Sequence, residues 1–274
     1  MGDYRRRRLS ESYWPADSSA DLFQGTLGDA LREAAARAPD RVALIEGRVE
    51  GGRQWTYAEL LRDAERVAAS LLARFEPGER IAFCADNVVE WVPMLYGCAL
   101  AGLVLVTVNP AFKARELNYV LERSGAAGLF TIDAYRGYDW QKAVASIRPG
   151  LPALREVHRV EDFWSFVDSA GETKGFPQVQ PFDACIVMFT SGTTGMQKGV
   201  MFHHLGVANM SYLTQARGGL DESGVFISPM PLFYIGGLGH VGVGALMHRV
   251  PHVVVPHWDP ELFMQLVERH GGTY

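Results

Sequence analysis

The sequence predicts an α/β fold, with layered and largely parallel sheets flanked by helices. Short runs rich in β-branched residues alternate with stretches of helical period, which is typical of successive strand–helix–strand units. The length of 274 residues suits one large domain or two small ones, at about 150 residues per domain, and is enough to bury a substantial core. Hydrophobic residues make up 48% and charged residues 21% of the chain, which excludes a disordered protein.

In the first part of the chain, the two kinds of signal follow each other closely. The strands are predicted at 42–45, 81–85, 103–108, 128–132 and 156–160. The helices are predicted at 27–36, 56–75, 116–124 and 138–147, and a further helix is predicted to end at about residue 101. Thr56 and Glu59 stand at the spacing of a capping box, which predicts where the second helix begins.

Residues 169–182 are richer in glycine, serine and charge and predict a linker. It would separate a first α/β subdomain over 23–168 from a second over 183–274. Strands are predicted in the second at 186–189, 200–202, 225–228 and 253–255.

The end of the chain predicts a last helix and the entry to a strand. Asp259 suits the N-cap, Pro260 suits the first helical position, and the helix should end near His270. Thr273 and Tyr274 are then predicted to start a strand. We therefore expect an incomplete second subdomain in a fragment of a longer protein. Apolar surface left uncovered by an unfinished unit predicts self-association, with a homodimer as a candidate assembly.

Charge and cysteine content exclude several classes of protein. A net charge of −5 disfavours a nucleic-acid binder, and the six tryptophans are not interleaved with basic residues. Three cysteines without CxxC spacing disfavour disulfides and a cysteine zinc site, and favour the cytoplasm. His248, His252 and His257 flank prolines and a short apolar strand, so no metal ligand is assigned.

Two further segments bear on the membrane. Residues 1–22 predict a flexible basic arm, because Arg5–Arg8 are followed by no apolar signal segment. The uncharged stretch 92–109 approaches the length of a membrane span. Pro93 and Gly102 interrupt it, so we predict a buried helix and strand and no transmembrane span.

The strongest chemical signal is the segment TSGTTGMQKG, at residues 190–199. Its glycines permit tight turns whose backbone N–H groups can surround an anion, its hydroxyls can donate to phosphate oxygens, and its lysine adds a positive charge. The apolar strand before it places it where α/β sheets bind ligands. The candidate phosphate-binding residues are Thr190, Ser191, Gly192, Thr193, Thr194, Gly195, Lys198 and Gly199. A Walker A loop is excluded because Met196 and Gln197 separate Gly195 from the lysine.

This segment resembles the phosphate-binding signature of the adenylate-forming acyl-CoA synthetase superfamily, TSGTTGxPKG, with Gln197 in the position of the usual proline. A second segment, PLFYIGGL at 231–238, resembles an element that lines the acyl pocket in that family, with Tyr234 replacing the more common histidine. Further similar segments are WTYAEL at 55–60, GERI at 78–81 and NP at 109–110, so the resemblance extends over 23–274.

The resemblance implies the N-terminal part of the large domain of an AMP-forming acid–thiol ligase. Such an enzyme joins a carboxylic acid to ATP, releases pyrophosphate with the help of Mg²⁺, and transfers the acyl group to CoA. Phosphate binding then falls to the loop, and Tyr234, Gly236 and Gly237 line or gate the acyl pocket. The adenine and ribose contacts, the C-terminal lid and its catalytic lysine would lie beyond Tyr274. No catalytic residue is therefore assigned, and the fragment alone is expected to be inactive.

A fatty or aryl acid is the expected substrate, because residues 230–240 contain no Asp or Glu to hold an ammonium group. Two alternatives stay open at this point. The chain could be a non-catalytic nucleotide- or acyl-binding module. It could also be another phosphoryl-transfer enzyme that shares only the loop, although the second segment argues against that.

Overall fold

The computed structural model describes residues 10–13, 21–169, 175–190 and 197–274, so the basic run Arg5–Arg8 of the predicted arm lies outside the described residues. The α-helices are α1 Leu27–Arg37, α2 Tyr57–Leu72, α3 Trp91–Ala101, α4 Ala114–Ser124, α5 Trp140–Ile147, α6 Phe163–Asp168, α7 His204–Gly218, α8 Gly244–His248 and α9 Pro260–His270. The strands are β1 Val42–Glu46, β2 Gln54–Thr56, β3 Arg80–Cys84, β4 Val104–Val108, β5 Gly128–Thr131, β6 Ala134–Tyr135, β7 Tyr138–Asp139, β8 Glu156–Arg159, β9 Ala184–Phe189, β10 Gly199–His203, β11 Phe226–Ser228 and β12 His252–Val254.

Two sheets carry the fold. The larger has the order β10-β9-β4-β3-β5-β8, and only its edge strand β10 runs antiparallel to its neighbour. The smaller has the order β11-β12-β1-β2, with β2 antiparallel to β1. Helices pack against these sheets, so the predicted α/β architecture of largely parallel sheets is confirmed.

Both sheets take strands from either side of residues 169–182. In the larger sheet β9 pairs with β4, and in the smaller sheet β12 pairs with β1. All five residues of β4 are buried, as expected for an inner strand with a neighbour at each edge. The segment 169–182 therefore divides the chain but not the sheets. Its described residues 175–182 form neither helix nor strand.

The predicted starts of two helices are confirmed. At the start of α2, the Thr56 hydroxyl accepts from the backbone N–H of Glu59, and the Glu59 carboxylate accepts from the backbone N–H of Thr56. At the start of α9, the Asp259 carboxylate accepts a hydrogen bond from the backbone N–H of Leu262 at 2.8 Å. Each contact pairs a backbone N–H that the first turn of a helix would otherwise leave without a partner.

The uncharged stretch 92–109 forms the buried helix α3 and the strand β4, as predicted. Gly102 separates the two with a left-handed backbone (φ 67°), a conformation that glycine adopts without strain. Among the described residues, no helix has the length and apolar character that a membrane span requires.

The Asn87 side chain connects the two sheets. It follows β3, and its Nδ2 donates to the carbonyls of Val255 (3.0 Å) and Met230 (3.1 Å). Its Oδ1 accepts from the backbone N–H of Leu232 at 2.9 Å. Val255 follows β12 and Met230 follows β11, so this one side chain joins the end of a strand in the larger sheet to two segments that leave the smaller sheet.

The last residues extend the smaller sheet beyond β11. The backbone N–H of Ile227 donates to the carbonyl of Tyr274, and the N–H of Thr273 donates to the carbonyl of Val225. Thr273 and Tyr274 therefore lie alongside β11, where the sequence predicts the entry to a further strand.

Candidate functional site

Strands β9 and β10 form a hairpin that carries both ends of the predicted phosphate-binding segment, residues 190–199, which we call the phosphate segment. The apolar run before Thr190 makes β9 a largely buried strand, and β10 pairs with it from Gly199 opposite Phe189. The backbone N–H of Thr190 donates to the carbonyl of Lys198 at 3.0 Å. Thr190 and Lys198 thus face each other at the carboxyl end of β9, the edge where parallel sheets bind ligands.

The middle of the segment is not part of this description. Ser191, Gly192, Thr193, Thr194 and Gly195 lie outside the described residues. Their predicted contacts with phosphate remain predictions. The structure brings together the three remaining candidates, which are Thr190, Lys198 and Gly199.

Gly199 packs closely against the ring of Phe189. A Cβ atom at this position would lie 3.2 Å from Cζ of Phe189, closer than ordinary van der Waals contact. The absence of a side chain lets the aromatic ring of Phe189 lie over the first residue of β10. This contact lies immediately beside the phosphate segment, where Gly199 pairs with Phe189.

One face of the hairpin lines a cavity of about 470 Å³. Its apolar wall follows from the alternation of strand side chains, because residues on one face recur every second position. The cavity is lined by Met188, Phe189, Thr190, Val200, Phe202, Tyr234 and Ile235. Thr190 from the phosphate segment and Tyr234 from the second predicted segment therefore border the same space.

Tyr234 is held from the end of β4. Its hydroxyl accepts a hydrogen bond from Nδ2 of Asn109 at 3.0 Å, and Oδ1 of Asn109 accepts from the backbone N–H of Ala111 at 2.9 Å. The second bond fixes the orientation of the amide, so its NH₂ group faces the tyrosine. The hydroxyl of Thr107 donates to the carbonyl of Phe233 at 2.8 Å and holds the adjacent backbone.

The residues after Tyr234 form a π-helix, Gly236–Val243, which sequence periodicity did not predict. Such wide turns often occur at functional sites. Helix α7 braces this one, because Ser211 Oγ donates to the carbonyl of Gly239 (3.0 Å) and Gln215 Nε2 donates to that of His240 (2.7 Å). Gly237 lies so close to the preceding turn that a Cβ atom would be 2.2 Å from the carbonyl oxygen of Pro231.

Of the three residues predicted to line or gate an acyl pocket, Tyr234 lines this cavity, and Gly236 and Gly237 form the first turn of the π-helix. Their role in an acyl pocket stays a prediction. Ile235 lines the cavity and was missed by the sequence analysis. The alternation of β9 and β10 could have identified Met188, Val200 and Phe202, which share the face that Tyr234 covers.

The opposite face of the hairpin lines a larger cavity of about 840 Å³. Lys198 borders this second space together with Arg80 and Arg123, and Asp183 is its acidic lining residue. Tyr119 from α4 forms part of the wall, and its hydroxyl donates to the carbonyl of Gln197 at 2.9 Å. Lys198 therefore places a positive charge at this edge of the sheet, beside the larger cavity.

The two histidines after the phosphate segment are structural. His203 caps α7 by accepting from the N–H of Gly206 at 3.0 Å. His204 is buried, and its Nδ1 accepts from the N–H of Leu27 at 3.2 Å. Burial lowers the pKa of His204 to about 4, so the ring is neutral at pH 7. No group of three or more potential metal ligands of the His, Cys, Asp and Glu types occurs within the described ranges.

Comparison with known proteins gives consistent matches over most of the chain. A family profile described as AMP-binding enzyme covers residues 31–274. The mitochondrial medium-chain acyl-CoA ligase ACSF2 of Danio rerio is 30% identical over 298 aligned positions, covering 97% of this chain and 48% of that protein. The 2,3-dihydroxybenzoate-AMP ligase of Bacillus subtilis is 26% identical, covering 95% of this chain and 50% of that protein.

A solved structure agrees with these sequence matches. The crystal structure of a putative long-chain-fatty-acid CoA ligase from Rhodopseudomonas palustris superposes with a TM-score of 0.79 at 25% identity. The match covers 92% of this chain and 63% of that one. The chain spans about half the length of the two curated relatives.

Proposed function

Because the chain belongs to the AMP-binding enzyme family, we propose that the whole protein is an ATP-dependent acyl-CoA synthetase. The reaction joins a carboxylate oxygen to the α-phosphorus of ATP and releases pyrophosphate, which gives an acyl-AMP. The thiol of CoA then attacks the acyl carbon, and AMP leaves. One observation carries this proposal: Thr190 of the phosphate segment and Tyr234 of the acyl segment border the same cavity.

The residues of the hairpin would bind the leaving pyrophosphate. Negative charge accumulates on it as the bond to the α-phosphorus breaks, so fixed positive groups and N–H donors at this position lower the barrier. Lys198 supplies a full charge at the end of β9, and the Thr190 hydroxyl supplies a hydrogen-bond donor beside it. Ser191, Gly192, Thr193, Thr194, Gly195 and Gly199 complete the proposed phosphate-binding set.

When bound, Mg²⁺ would reduce the negative charge of the ATP phosphates. A hard cation of this kind takes oxygen ligands, and it is commonly held by substrate phosphates and few protein groups. The hydroxyl of Thr190, exposed at the end of β9, is a donor of that type. The residues at this edge therefore fit a magnesium–phosphate complex.

A fatty or aryl acid is the proposed substrate. The cavity beside Thr190 is lined by Met188, Phe189, Val200, Phe202 and Ile235, which favour an apolar acyl group. Its described lining contains no carboxylate that could pair with the ammonium group of an amino acid. CoA is the proposed acceptor of the acyl group.

The cytoplasm is the proposed location. Cys84, Cys98 and Cys185 are buried free thiols, and burial raises the pKa of Cys185 to about 12. Such thiols persist in a reducing compartment.

A homodimer is proposed as the assembly, since Met201 is 70% exposed on the edge strand β10. Light scattering should show a mass that rises with concentration, and a constant monomer mass would contradict this.

Acid-dependent exchange of pyrophosphate into ATP tests the proposed reaction on the whole protein. Exchange that requires a medium-chain or aryl carboxylate is the expected result. Exchange that occurs without either kind of acid would contradict the proposal. So would the absence of exchange with every acid in a broad panel. Residues 1–274 alone should form no acyl-CoA, and product that depends on this chain, ATP and CoA would contradict that expectation.

A further inference from the structure

A single side chain, that of Tyr119, contacts both ends of the phosphate segment. Its hydroxyl donates to the carbonyl of Gln197 at 2.9 Å, just after the segment's central part. Its ring packs edge-on against Phe189, with 6.3 Å between the centroids, just before Thr190. Tyr119 lies on α4, and the Glu116 carboxylate fixes the start of this helix by accepting from the backbone N–H of Lys113.

Gln197 itself lacks the restraint that a proline would bring. A proline ring fixes φ near −65°, whereas glutamine leaves this angle free and adds a long side chain. The side chain of Gln197 offers no substitute anchor, because its Oε1 is buried and has no hydrogen-bond partner among the described residues. A restraint on the backbone at 197 must therefore come from a neighbouring element.

The position of Lys198 depends on that backbone. Its N–H points to Oγ1 of Thr190 at 3.4 Å, and its carbonyl accepts from the N–H of Thr190 at 3.0 Å. These contacts close the hairpin one residue beyond Gln197. A shift of the carbonyl at 197 would move Lys198 relative to Thr190, and both residues are proposed to bind phosphate.

We propose that Tyr119 is a positioning residue for phosphate binding, which holds the Gln197–Lys198 end of the segment at the position where the signature that it resembles has a proline. This inference rests on the proposed function, because it concerns the same phosphate site. Tyr119 does not touch the phosphates in this role. It acts through the Gln197 carbonyl and the Phe189 ring.

Tyr119→Phe tests the hydrogen bond while keeping the ring against Phe189. The dissociation constant of magnesium pyrophosphate, measured by calorimetry on the 274-residue chain, should rise about threefold to tenfold, the effect of losing one hydrogen bond. Adding Gln197→Pro should restore most of the affinity, since the proline ring replaces the lost restraint and the substitution removes the unpaired amide oxygen of Gln197. A purely structural role for Tyr119 would not be rescued in this way.

Tyr138→Phe is the matched control. The Tyr138 hydroxyl accepts from the N–H of Ala114 at 2.9 Å, so this variant loses an equally short bond to the first residue of the same helix. Pyrophosphate affinity should stay within about twofold of the parent chain, because the lost bond lies away from the phosphate segment. Equal losses in Tyr119→Phe and Tyr138→Phe, or an affinity unchanged in Tyr119→Phe, would overturn the positioning role.

Amide hydrogen exchange separates this inference from the proposed function. Without any ligand, Tyr119→Phe should speed exchange of the Thr190 N–H, and Gln197→Pro should slow it again. If the parent chain binds no pyrophosphate, the proposal of a phosphate site is wrong. The exchange rates still test whether Tyr119 restrains the segment. Unchanged exchange at Thr190 in Tyr119→Phe would overturn the inference whatever the binding result.

Discussion

Asn87→Ala should weaken the connection between the two sheets and with it the segment that carries Tyr234. The Asn87 side chain is 8% exposed and makes three hydrogen bonds of 2.9–3.1 Å to the backbone at Val255, Met230 and Leu232, with a longer contact of 3.4 Å to the carbonyl of Pro229. At about 1 kcal/mol for each of the three shorter bonds, the loss amounts to about 3 kcal/mol of unfolding free energy. Alanine leaves three carbonyls and one N–H without this partner, so the loss should not be smaller.

Urea-induced unfolding followed by tryptophan fluorescence and circular dichroism measures this loss. A decrease of about 3 kcal/mol is a large share of the roughly 5–15 kcal/mol typical of a folded domain. Asn118→Ala is the control, because Asn118 lies on α4 and its side chain forms no hydrogen bond within the described part of the chain. A loss below about 1 kcal/mol in Asn87→Ala, or an equal loss in the control, would refute this account of the connection.

Three further predictions concern a buried carboxylate, a buried histidine and the cavity wall. Asp63 accepts hydrogen bonds from Trp55 Nε1 at 2.9 Å and from Arg66 at 2.8 Å. Asp63→Asn should therefore lower the unfolding free energy by about 2 kcal/mol, and a urea unfolding curve that matches the parent's would contradict this. Burial lowers the pKa of His252 to about 4 from about 6.5 in the unfolded chain, so its stabilising effect is complete above pH 6.5 and is lost as the pH falls towards 4. The stability difference between the parent and His252→Gln should therefore shrink from about pH 7 to about pH 4, and a constant difference would count against a neutral buried ring. Tyr234→Ala removes a cavity wall and the bond to Asn109. The ratio of binding affinities for bulkier over smaller carboxylates, measured by calorimetry, should therefore rise about threefold or more. An unchanged ratio would contradict the assignment of Tyr234 to the pocket wall.

Local rules predicted much of the fold. The Thr56–Glu59 box and the Asp259–Pro260 start each depend on neighbours within one turn, and both appear in the structure as predicted. Pairing between distant strands has no such local signal. The sequence analysis divided the chain at 169–182, whereas β4 needs β9 from beyond that boundary to bury its second edge.

The candidate site shows the same contrast. The motif located Thr190 and Lys198, and alternation along β9 and β10 predicts which residues share a face. The contacts of Asn109 with Tyr234 and of Tyr119 with Gln197 join residues 125 and 78 positions apart, and no spacing rule reveals them. The π-helix also escaped prediction, because its wide turn depends on contacts from another helix, α7.

Binding of magnesium pyrophosphate to the 274-residue chain tests the central claim most directly, with Lys198→Ala and Lys142→Ala compared by calorimetry. Lys142 lies exposed on α5, outside the proposed site, and provides the matched loss of one positive charge. The parent chain and Lys142→Ala should bind equally, and Lys198→Ala should bind about tenfold more weakly, as expected for a charge-assisted contact of about 1.5 kcal/mol. Equal affinity in all three proteins, or no binding to the parent chain, would contradict the assignment of this hairpin to phosphate binding.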